Sequence, residues 1–183
     1  MNLKTYWKIT DDGKLKTSEI VAEMRKKFKV SVYQEENLDK NFPTPTKKTT
    51  RYFKKNIEAD SELANQSADD LAKTGKEYIT LRERLLLEIQ YFDETGNHLD
   101  IENWTLCVGS RASDGRVPSV DWGSCYGEVD VGWRYAGRRS EALRGRVAVS
   151  LKPSSLKPVP LVCQDKEHLE AIEKLRKMKE LIN

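Results

Sequence analysis

Residues 104–151 read WTLCVGSRASDGRVPSVDWGSCYGEVDVGWRYAGRRSEALRGRVAVSL, and their composition differs from that of the rest of the chain. From Leu106 onward this stretch has no Lys, Asn, Gln, Ile, Thr, Phe, Met or His, although the whole chain has 20 Lys. It holds seven of the ten Gly and seven of the twelve Arg. Such a change within one chain predicts a segment with its own task, and we interpret it as a binding surface whose side chains are interchangeable on a β scaffold.

Apolar and polar side chains alternate in this stretch, which is typical of strands with one buried face. Gly-rich turns separate the strands, so the sequence predicts a compact antiparallel sheet. Trp122 and Trp133 are in phase with the valines of their strands, and we expect both rings in the core. In each of the four predicted strands, the apolar residues share one face of that strand: Trp104, Leu106 and Val108; Val120 and Trp122; Val129, Val131 and Trp133; and Val147, Val149 and Leu151.

Helical signals lie upstream of the predicted sheet. The strongest is a capping box from Thr80 to Glu83, followed by a terminal Gly96. Two further helices are expected to begin at Thr17 or Ser18 and at Ser67, with short strands at 30–33 and 50–57. The pattern predicts an α+β domain over residues 1–151. The apolar stripe of the strongest helix consists of Leu81, Leu85, Leu86, Ile89 and Phe92.

The composition is that of a globular protein. The chain has 183 residues, of which 38% are apolar and 33% charged, and a formal net charge of +3. This length is enough for one substantial domain or two small ones. The chain has neither an apolar run near the roughly 20 residues of a membrane span nor the apolar core of a signal peptide. We therefore expect no membrane insertion and a cytoplasmic or virion-associated location. Cys107, Cys125 and Cys163 are expected as free thiols.

Two segments follow the predicted sheet. Residues 152–164 contain three prolines, which disfavour regular structure, and we interpret them as a linker. Residues 165–183 carry apolar residues at helical spacing, which predicts an amphipathic helix. This helix is expected to dock either on its own domain or on another subunit, where it would form an oligomer contact.

The sheet face opposite the valines, with its turns, carries the predicted binding residues. Tyrosine offers a large contact at little entropic cost, arginine a planar fork of five donors, and small polar residues adapt to a partner. Tyr126, Arg134, Tyr135, Arg138 and Arg139 are the expected anchors for a protein or cell-surface ligand. A solvated face with ordinary turns is the alternative. The other predicted site residues are Ser119, Asp121, Gly123, Ser124, Cys125, Asp130, Gly132, Ala136, Ser140 and Arg144.

The segments WTLCVGSR, SDGRVPSVDW, VDVGW and LRGRVAVS resemble the variable proteins of diversity-generating retroelements, found in phages, archaeal viruses and small-genome bacteria and archaea. The resemblance covers residues 79–151. It implies a C-type-lectin-like fold with short antiparallel strands and two or more helices. It also implies a ligand-binding surface, here about residues 112–144, that a reverse transcriptase rewrites at template adenines.

The same resemblance separates variable from fixed positions. Adenine mutagenesis of AAC or AAT codons never yields Trp, Glu, Lys, Gln or Met. Between Ser119 and Arg144 these types are rare, and the resemblance implies that the residues concerned are fixed scaffold positions. They are Trp122, Glu128, Trp133 and Glu141.

Catalysis has little support in the sequence. The only histidines, His98 and His168, lie in no HExxH, GxSxG, P-loop or GxGxxG pattern. We expect solvated structural histidines, no enzyme activity and no cofactor. Asp114, Asp121 and Asp130 are too scattered to specify a calcium site, so no metal is expected.

Nucleic-acid binding is the main alternative function, because arginines cluster with aromatic residues at 133–146. The interleaved acidic residues and the near-neutral net charge oppose it. An invariant structural virion protein is the third interpretation. The residues that would contact nucleic acid are Arg134, Arg138, Arg139, Arg144 and Arg146, with Trp133 and Tyr135 for stacking.

Overall fold

A computed structural model describes residues 2–150. The predicted linker 152–164 and helix 165–183 lie outside the described residues, as do Leu151, Cys163 and His168. The α+β class predicted from the sequence is confirmed. In chain order the elements are β1 (Tyr6–Asp11), α1 (Thr17–Arg25), β2 (Val30–Val32), α2 (Leu38–Asn41), β3 (Thr49–Lys54), α3 (Ala68–Ala72), α4 (Leu81–Thr95), β4 (Trp104–Leu106), β5 (Val117–Gly123), β6 (Glu128–Arg134) and β7 (Leu143–Arg144).

The strands form two sheets. One has the order β2-β6-β5-β4-β7, and the other pairs β1 with β3. The three central strands β6, β5 and β4 are antiparallel, whereas β2 pairs with β6 and β7 pairs with β4 in parallel. The predicted antiparallel pairing is present for β4, β5 and β6 and is wrong at the β7 edge. Strand β2, which the prediction did not include in this sheet, forms the other edge. Only β5 and β6 are joined by a tight turn, and the edge strands arrive through longer connections that permit parallel pairing.

The fourth predicted strand lies earlier in the chain than expected. The strand that follows β6 in the larger sheet is β7, which pairs with β4. The expectation of a strand through Val147 and Val149 is thereby corrected, and Leu151 lies outside the described residues. Val147 and Val149 instead form single bridges to Tyr78 and Tyr52. The chain after β7 thus leaves the larger sheet and runs along β3 of the smaller one.

Helix α4 begins and ends where the sequence predicts. The Thr80 hydroxyl accepts from the Glu83 N–H, and the Glu83 carboxylate accepts from the Thr80 N–H at 2.9 Å, so the capping box is present. Gly96 ends the helix in the left-handed conformation, with φ of 69°. Both signals are local in sequence, and both are confirmed.

The predicted apolar stripe of α4 is only partly right, because the helix is covered on more than one side. A buried charge is costly unless it is paired. Arg82 donates to Asp11 at 2.6 and 2.8 Å, and Arg84 donates to Glu88 at 2.6 Å and to Asp100 at 2.9 Å. Three stripe residues are half-exposed: Leu86, Ile89 and Phe92. Four charged residues are buried: Arg82, Glu83, Arg84 and Glu88.

The start of α1 also differs from the prediction. Its N-cap is Lys16 rather than Thr17 or Ser18. The Thr17 hydroxyl is used in the interior, where it donates to the Phe42 carbonyl and accepts from Arg82. A buried tertiary partner thus takes the hydroxyl that a cap would have used.

The main apolar core lies between α1, α4, β1 and one face of the five-stranded sheet. Trp133 is buried there, with its ring centre 5.2 Å from that of Phe42. A second cluster covers the other face of the sheet beside β4 and β7, and it includes Leu63, Leu71 and Tyr78. The opposite end of that second face, towards β2, carries polar side chains. Within residues 2–150, each helix is too short or too polar to cross a membrane.

Candidate functional site

The strand register sorts the side chains of β5 and β6 into two sets. Val120, Val131 and Trp133 belong to the main core. Because successive side chains point to opposite faces of a sheet, their neighbours lie on the other face. We call this other set the polar sheet face: Ser119, Asp121, Asp130, Gly132 and Arg134.

A groove of about 590 Å³ lies at the β2 end of the polar sheet face, and we call it the β2–β6 groove. That volume is within the range of ordinary ligand pockets. Asp130, Gly132 and Arg134 line it from β6, and the segment after β2 supplies Tyr33 and Gln34. Polar groups of both charges therefore converge on one concave surface.

Arg134 lies flat across the polar sheet face. Its guanidinium carbon is 4.8 Å from the centre of the Trp104 ring, a cation–π contact. A Cβ at Gly132 would lie 3.2 Å from Arg134 Nη1, so the missing side chain gives the arginine its path. The Arg134 guanidinium is thus held over an aromatic ring rather than in an ion pair with a carboxylate of the same face.

Arg116 forms the opposite wall of the β2–β6 groove. It donates to Asp114 at 2.7 Å and to the Gln34 side chain at 2.9 Å, and its guanidinium carbon lies 5.7 Å from the centre of the Tyr33 ring. The side-chain hydrogen bond to Asp114 raises the pKa of Arg116. Arg116 is therefore ion-paired and already ordered on this wall.

Asp121 and Asp130 are direct cross-strand partners. Burial raises the pKa of Asp121 to about 7, and the charge of Asp130 adds to this effect, while Arg134 opposes it. Burial disfavours the ionised carboxylate, and so does a like charge beside it. Asp121 therefore changes its charge near neutral pH.

Three buried polar atoms of this face have no hydrogen-bond partner among residues 2–150. They belong to Ser119 (Oγ), Asp121 (Oδ1) and Arg134 (Nε). Ser119 and Asp121 lie two residues apart on β5, and Arg134 reaches over the neighbouring strand. Buried polar atoms in folded proteins are nearly always hydrogen-bonded, so this cluster is the most unusual polar feature of the domain.

The two most exposed predicted anchors lie at opposite ends of β6. Tyr126 and Tyr135 are each 77% exposed, one in the turn before β6 and the other just after the strand. The seven residues of β6 lie between them and, at about 3.3 Å each, span roughly 23 Å. The predicted site is thus two exposed segments, 124–127 and 135–142, joined by the polar sheet face.

The loop 135–142 is held against α3. The Asp69 N–H donates to the Ala136 carbonyl and the Asn65 N–H to the Ser140 carbonyl, each at 3.2 Å. Arg139 forms an ion pair with Asp70 at 2.8 Å. The loop therefore presents its exposed side chains from a fixed backbone.

The structure places most of the predicted site residues at the surface and three of them inside. Ser119 is 0% and Asp121 is 9% exposed, and Gly132 is also buried, so these three are corrected as surface positions. The reason is that β5 and β6 lie inside the sheet and Arg134 crosses over them. The exposed residues are Ser124, Cys125, Tyr126, Tyr135, Arg138 and Arg139; the half-exposed ones are Gly123, Asp130, Arg134, Ala136, Ser140 and Arg144.

Sequence reasoning missed the residues that β2 and its following loop bring to the groove. Ser31, Tyr33 and Gln34 lie beside β6 because β2 pairs with it in parallel. No local pattern indicates such a pairing between segments about a hundred residues apart. The sequence also gave no sign that Trp104 turns towards Arg134.

Two of the residues predicted to contact nucleic acid, Arg146 and Trp133, are buried. Arg146 is buried and donates to Asp100 at 2.5 Å and to the Ile57 carbonyl at 2.7 Å. Trp133 is buried in the main core and offers no face for stacking on a base. The arginines of 133–146 are therefore not one exposed basic patch.

His98 is not solvated, which corrects the expectation for this residue. Its ring stacks on Trp122 with centres 3.6 Å apart, and Nδ1 lies 2.8 Å from Glu88. Phe28 and Phe92 also pack on it, at 4.9 and 5.1 Å. The partly buried Trp122 ring is thus fixed by a structural histidine.

Within residues 2–150, the cysteines and carboxylates do not form a metal site. Cys107 is buried, which raises the pKa of its thiol, and Cys125 is exposed. No group of three or more His, Cys, Asp or Glu side chains is placed to hold a metal ion in that part of the chain.

Comparison of the chain with protein-family models, with curated proteins and with solved structures finds no match.

Proposed function

We propose that the chain is a ligand-binding protein whose recognition surface consists of the polar sheet face and the exposed segments 124–127 and 135–142. Its ligand is a protein or another cell-surface structure. The domain is a C-type-lectin-like scaffold, and a diversity-generating retroelement rewrites the exposed positions. This proposal carries forward the sequence resemblance of residues 79–151.

One observation supports the proposal above the others. The two tyrosines with the most suitable contact chemistry, Tyr126 and Tyr135, are the most exposed large hydrophobic residues among 2–150. Tyrosine offers a large, amphipathic contact area at little entropic cost and is enriched at binding hot spots. Arg138 lies beside Tyr135 in the anchored loop and has no ion-pair partner within residues 2–150. An aromatic ring and a free guanidinium on a fixed backbone are typical of binding hot spots.

Four positions between Ser119 and Arg144 carry residue types that adenine mutagenesis cannot produce. Two of these four have the contacts expected of a scaffold residue. Trp133 is part of the main core, and Trp122 is fixed by His98. Glu128 is half-exposed and Glu141 is exposed, so burial does not explain those two. The tryptophans therefore support the division into scaffold and surface, and the glutamates neither support nor oppose it.

The test is deep sequencing of the 3′ half of the gene across its source population. We expect substitutions at the codons for the exposed segments, constant codons for Trp122 and Trp133, and a near-copy of codons 106–151 in the flanking DNA. Codons 17–54 of the same gene serve as the internal control, because they lie outside the resembling segment.

A uniform sequence without a template copy would contradict the proposal. An invariant virion protein or a nucleic-acid-binding protein would then be the function to examine. Substitutions spread evenly over both gene regions would contradict it as well, since ordinary drift does not select the exposed codons.

A further inference from the structure

Two carboxylates lie side by side at the edge of the β2–β6 groove. Side chains of directly opposed residues on antiparallel strands have Cβ atoms about 4.5 to 5.5 Å apart, and Asp121 and Asp130 are such a pair. Asp130 lines the groove, and Asp121 lies deeper, on the neighbouring strand. Like charges in this position oppose each other unless positive charge is supplied.

The surrounding residues do not supply enough positive charge to compensate both carboxylates. The groups that act on Asp121 are Asp130 and Arg134 from β6, Asp100 from the loop before β4, and Arg84 from α4. Arg84 and Asp100 are paired with each other at 2.9 Å. Within residues 2–150, Arg134 has no carboxylate oxygen within 4 Å, because it is held over the Trp104 ring. Asp121 and Asp130 therefore face the guanidinium of Arg134, while Arg116 on the opposite wall of the groove is paired with Asp114.

A second observation is independent of these charges. Ser119 lies on the same face as Asp121 and is completely buried, yet its Oγ has no hydrogen-bond partner among the described residues. Gly132 is directly opposite Ser119 and contributes no side chain. Two unpartnered acceptors, Ser119 Oγ and Asp121 Oδ1, thus lie on β5, next to a glycine position whose side-chain space is filled by the Arg134 guanidinium.

We propose that Ser119, Asp121 and Asp130 form a subsite for the cationic end of a lysine or arginine side chain on the protein ligand, and that Arg134 moves aside to admit it. The identification of the ligand as a protein rests on the proposed function. An ammonium or guanidinium group carries only donors, and this subsite offers it two carboxylates and a hydroxyl oxygen.

The net charge of the subsite is the same with and without a bound cation, because Asp121 releases one proton when the cation binds. Without ligand, a protonated Asp121, an ionised Asp130 and Arg134 sum to zero. With a ligand cation bound, Asp121 ionises and releases its proton, and the sum is again zero. Cation binding is therefore coupled to proton release. A calcium ion fits poorly, because it takes six to eight oxygen ligands and the subsite has two carboxylates.

The first experiment follows the titration of Asp121 by NMR in the full chain labelled with 13C at the aspartate carboxyl carbons. The probe is n-butylammonium chloride, and the controls are sodium chloride at equal ionic strength and neutral n-butanol. We expect saturating probe to lower the midpoint of Asp121 by about one pH unit, as an opposite charge at close range does, while both controls leave it unchanged. The same titration is run with propylguanidinium. A larger shift with propylguanidinium indicates an arginine side chain as the ligand group, and a larger shift with n-butylammonium indicates a lysine side chain.

The second experiment uses variants. Asp130→Asn removes one carboxylate and is expected to reduce the probe-induced shift at least threefold. Asp12→Asn is the matched control, because Asp12 is an exposed aspartate that pairs with Lys14 and does not line the groove, and it should leave the shift unchanged. An equal midpoint in probe and in sodium chloride would overturn the proposal. That comparison uses the wild-type chain, so it holds even if Asp130→Asn fails to fold.

Failure of the subsite and failure of the proposed function are distinguishable. The gene could be diversified in its exposed codons while the titration midpoint of Asp121 does not change with the probe. That result would support the proposed function and contradict the subsite. An invariant gene together with a lowered midpoint of Asp121 would contradict the proposed function and support a cation-binding subsite.

Discussion

Replacing Asp121 by asparagine is expected to stabilise the folded domain above neutral pH, although it removes a charged residue from a protein interior. In the folded state the pKa of Asp121 is about 7, against 3.8 for the ordinary group. Between these two values the folded state binds the proton and the unfolded state does not. The free energy of unfolding therefore falls as the pH rises through this window, and the loss is complete above the folded pKa.

The size of the effect follows from the shift. One pKa unit corresponds to about 1.4 kcal/mol, so a shift from 3.8 to about 7 has an upper bound of about 4 kcal/mol. Roughly 2.7 kcal/mol of that bound falls between pH 5 and pH 8. Solvent reaches Asp130 through the groove and screens part of the interaction, so we expect the stability gap between Asp121→Asn and wild type to widen by about 2 kcal/mol from pH 5 to pH 8.

The assay is urea unfolding of both proteins at a series of pH values, followed by circular dichroism. Asp114→Asn is the control with the opposite sign, because Arg116 lowers the pKa of this exposed aspartate and its removal should cost stability at neutral pH. The same pH slope in wild type and Asp121→Asn would refute the reasoning. So would a wild-type stability that rises from pH 5 to pH 8 while the stability of the variant stays level.

Three further predictions concern the scaffold. Trp133→Ala should cost roughly 3 to 5 kcal/mol by leaving a core cavity, whereas Tyr135→Ala should change stability by less than about 0.5 kcal/mol, and equal losses in urea unfolding would contradict the division into core and surface. Thr80→Ala should cost about 1 kcal/mol through loss of the α4 cap, with an unchanged m-value. Gly109→Ala should cost about 1 to 3 kcal/mol or more, because a Cβ there would lie 2.4 Å from a backbone carbonyl oxygen; Gly137→Ala, whose Cβ has no neighbour nearer than 3.9 Å, should leave the thermal midpoint unchanged.

The elements that the sequence predicted correctly depend on neighbours in the chain. The capping box of Thr80 and Glu83 and the left-handed Gly96 are within one helix. The β5–β6 hairpin follows from alternating valines and tryptophans on either side of a short turn. In each case the partners lie close in sequence, so the pattern of residues carries the information.

The groove could not be predicted, because its two sides come from distant segments. Val30 pairs with Val129 and Val32 with Val131 across parallel strands, and nothing in the run 30–32 specifies that partner. Arg146 was assigned to the surface because arginine usually lies there. It is buried because Asp100 and two backbone carbonyls satisfy its donors, a requirement that only the folded chain reveals.

The burial of part of the predicted surface restricts how a diversifying mechanism could use it. A new side chain at Ser119 or Gly132 would have to fit beneath Arg134, and overpacking a buried site costs about 1 to 3 kcal/mol. A typical domain has only about 5 to 15 kcal/mol of stability in total, so several such changes would unfold it. Under the proposed function, variation should therefore concentrate in 124–127 and 135–142, where side chains project into solvent from an anchored backbone. The central positions of β5 and β6 would then vary little, although their codons lie within the same rewritten stretch.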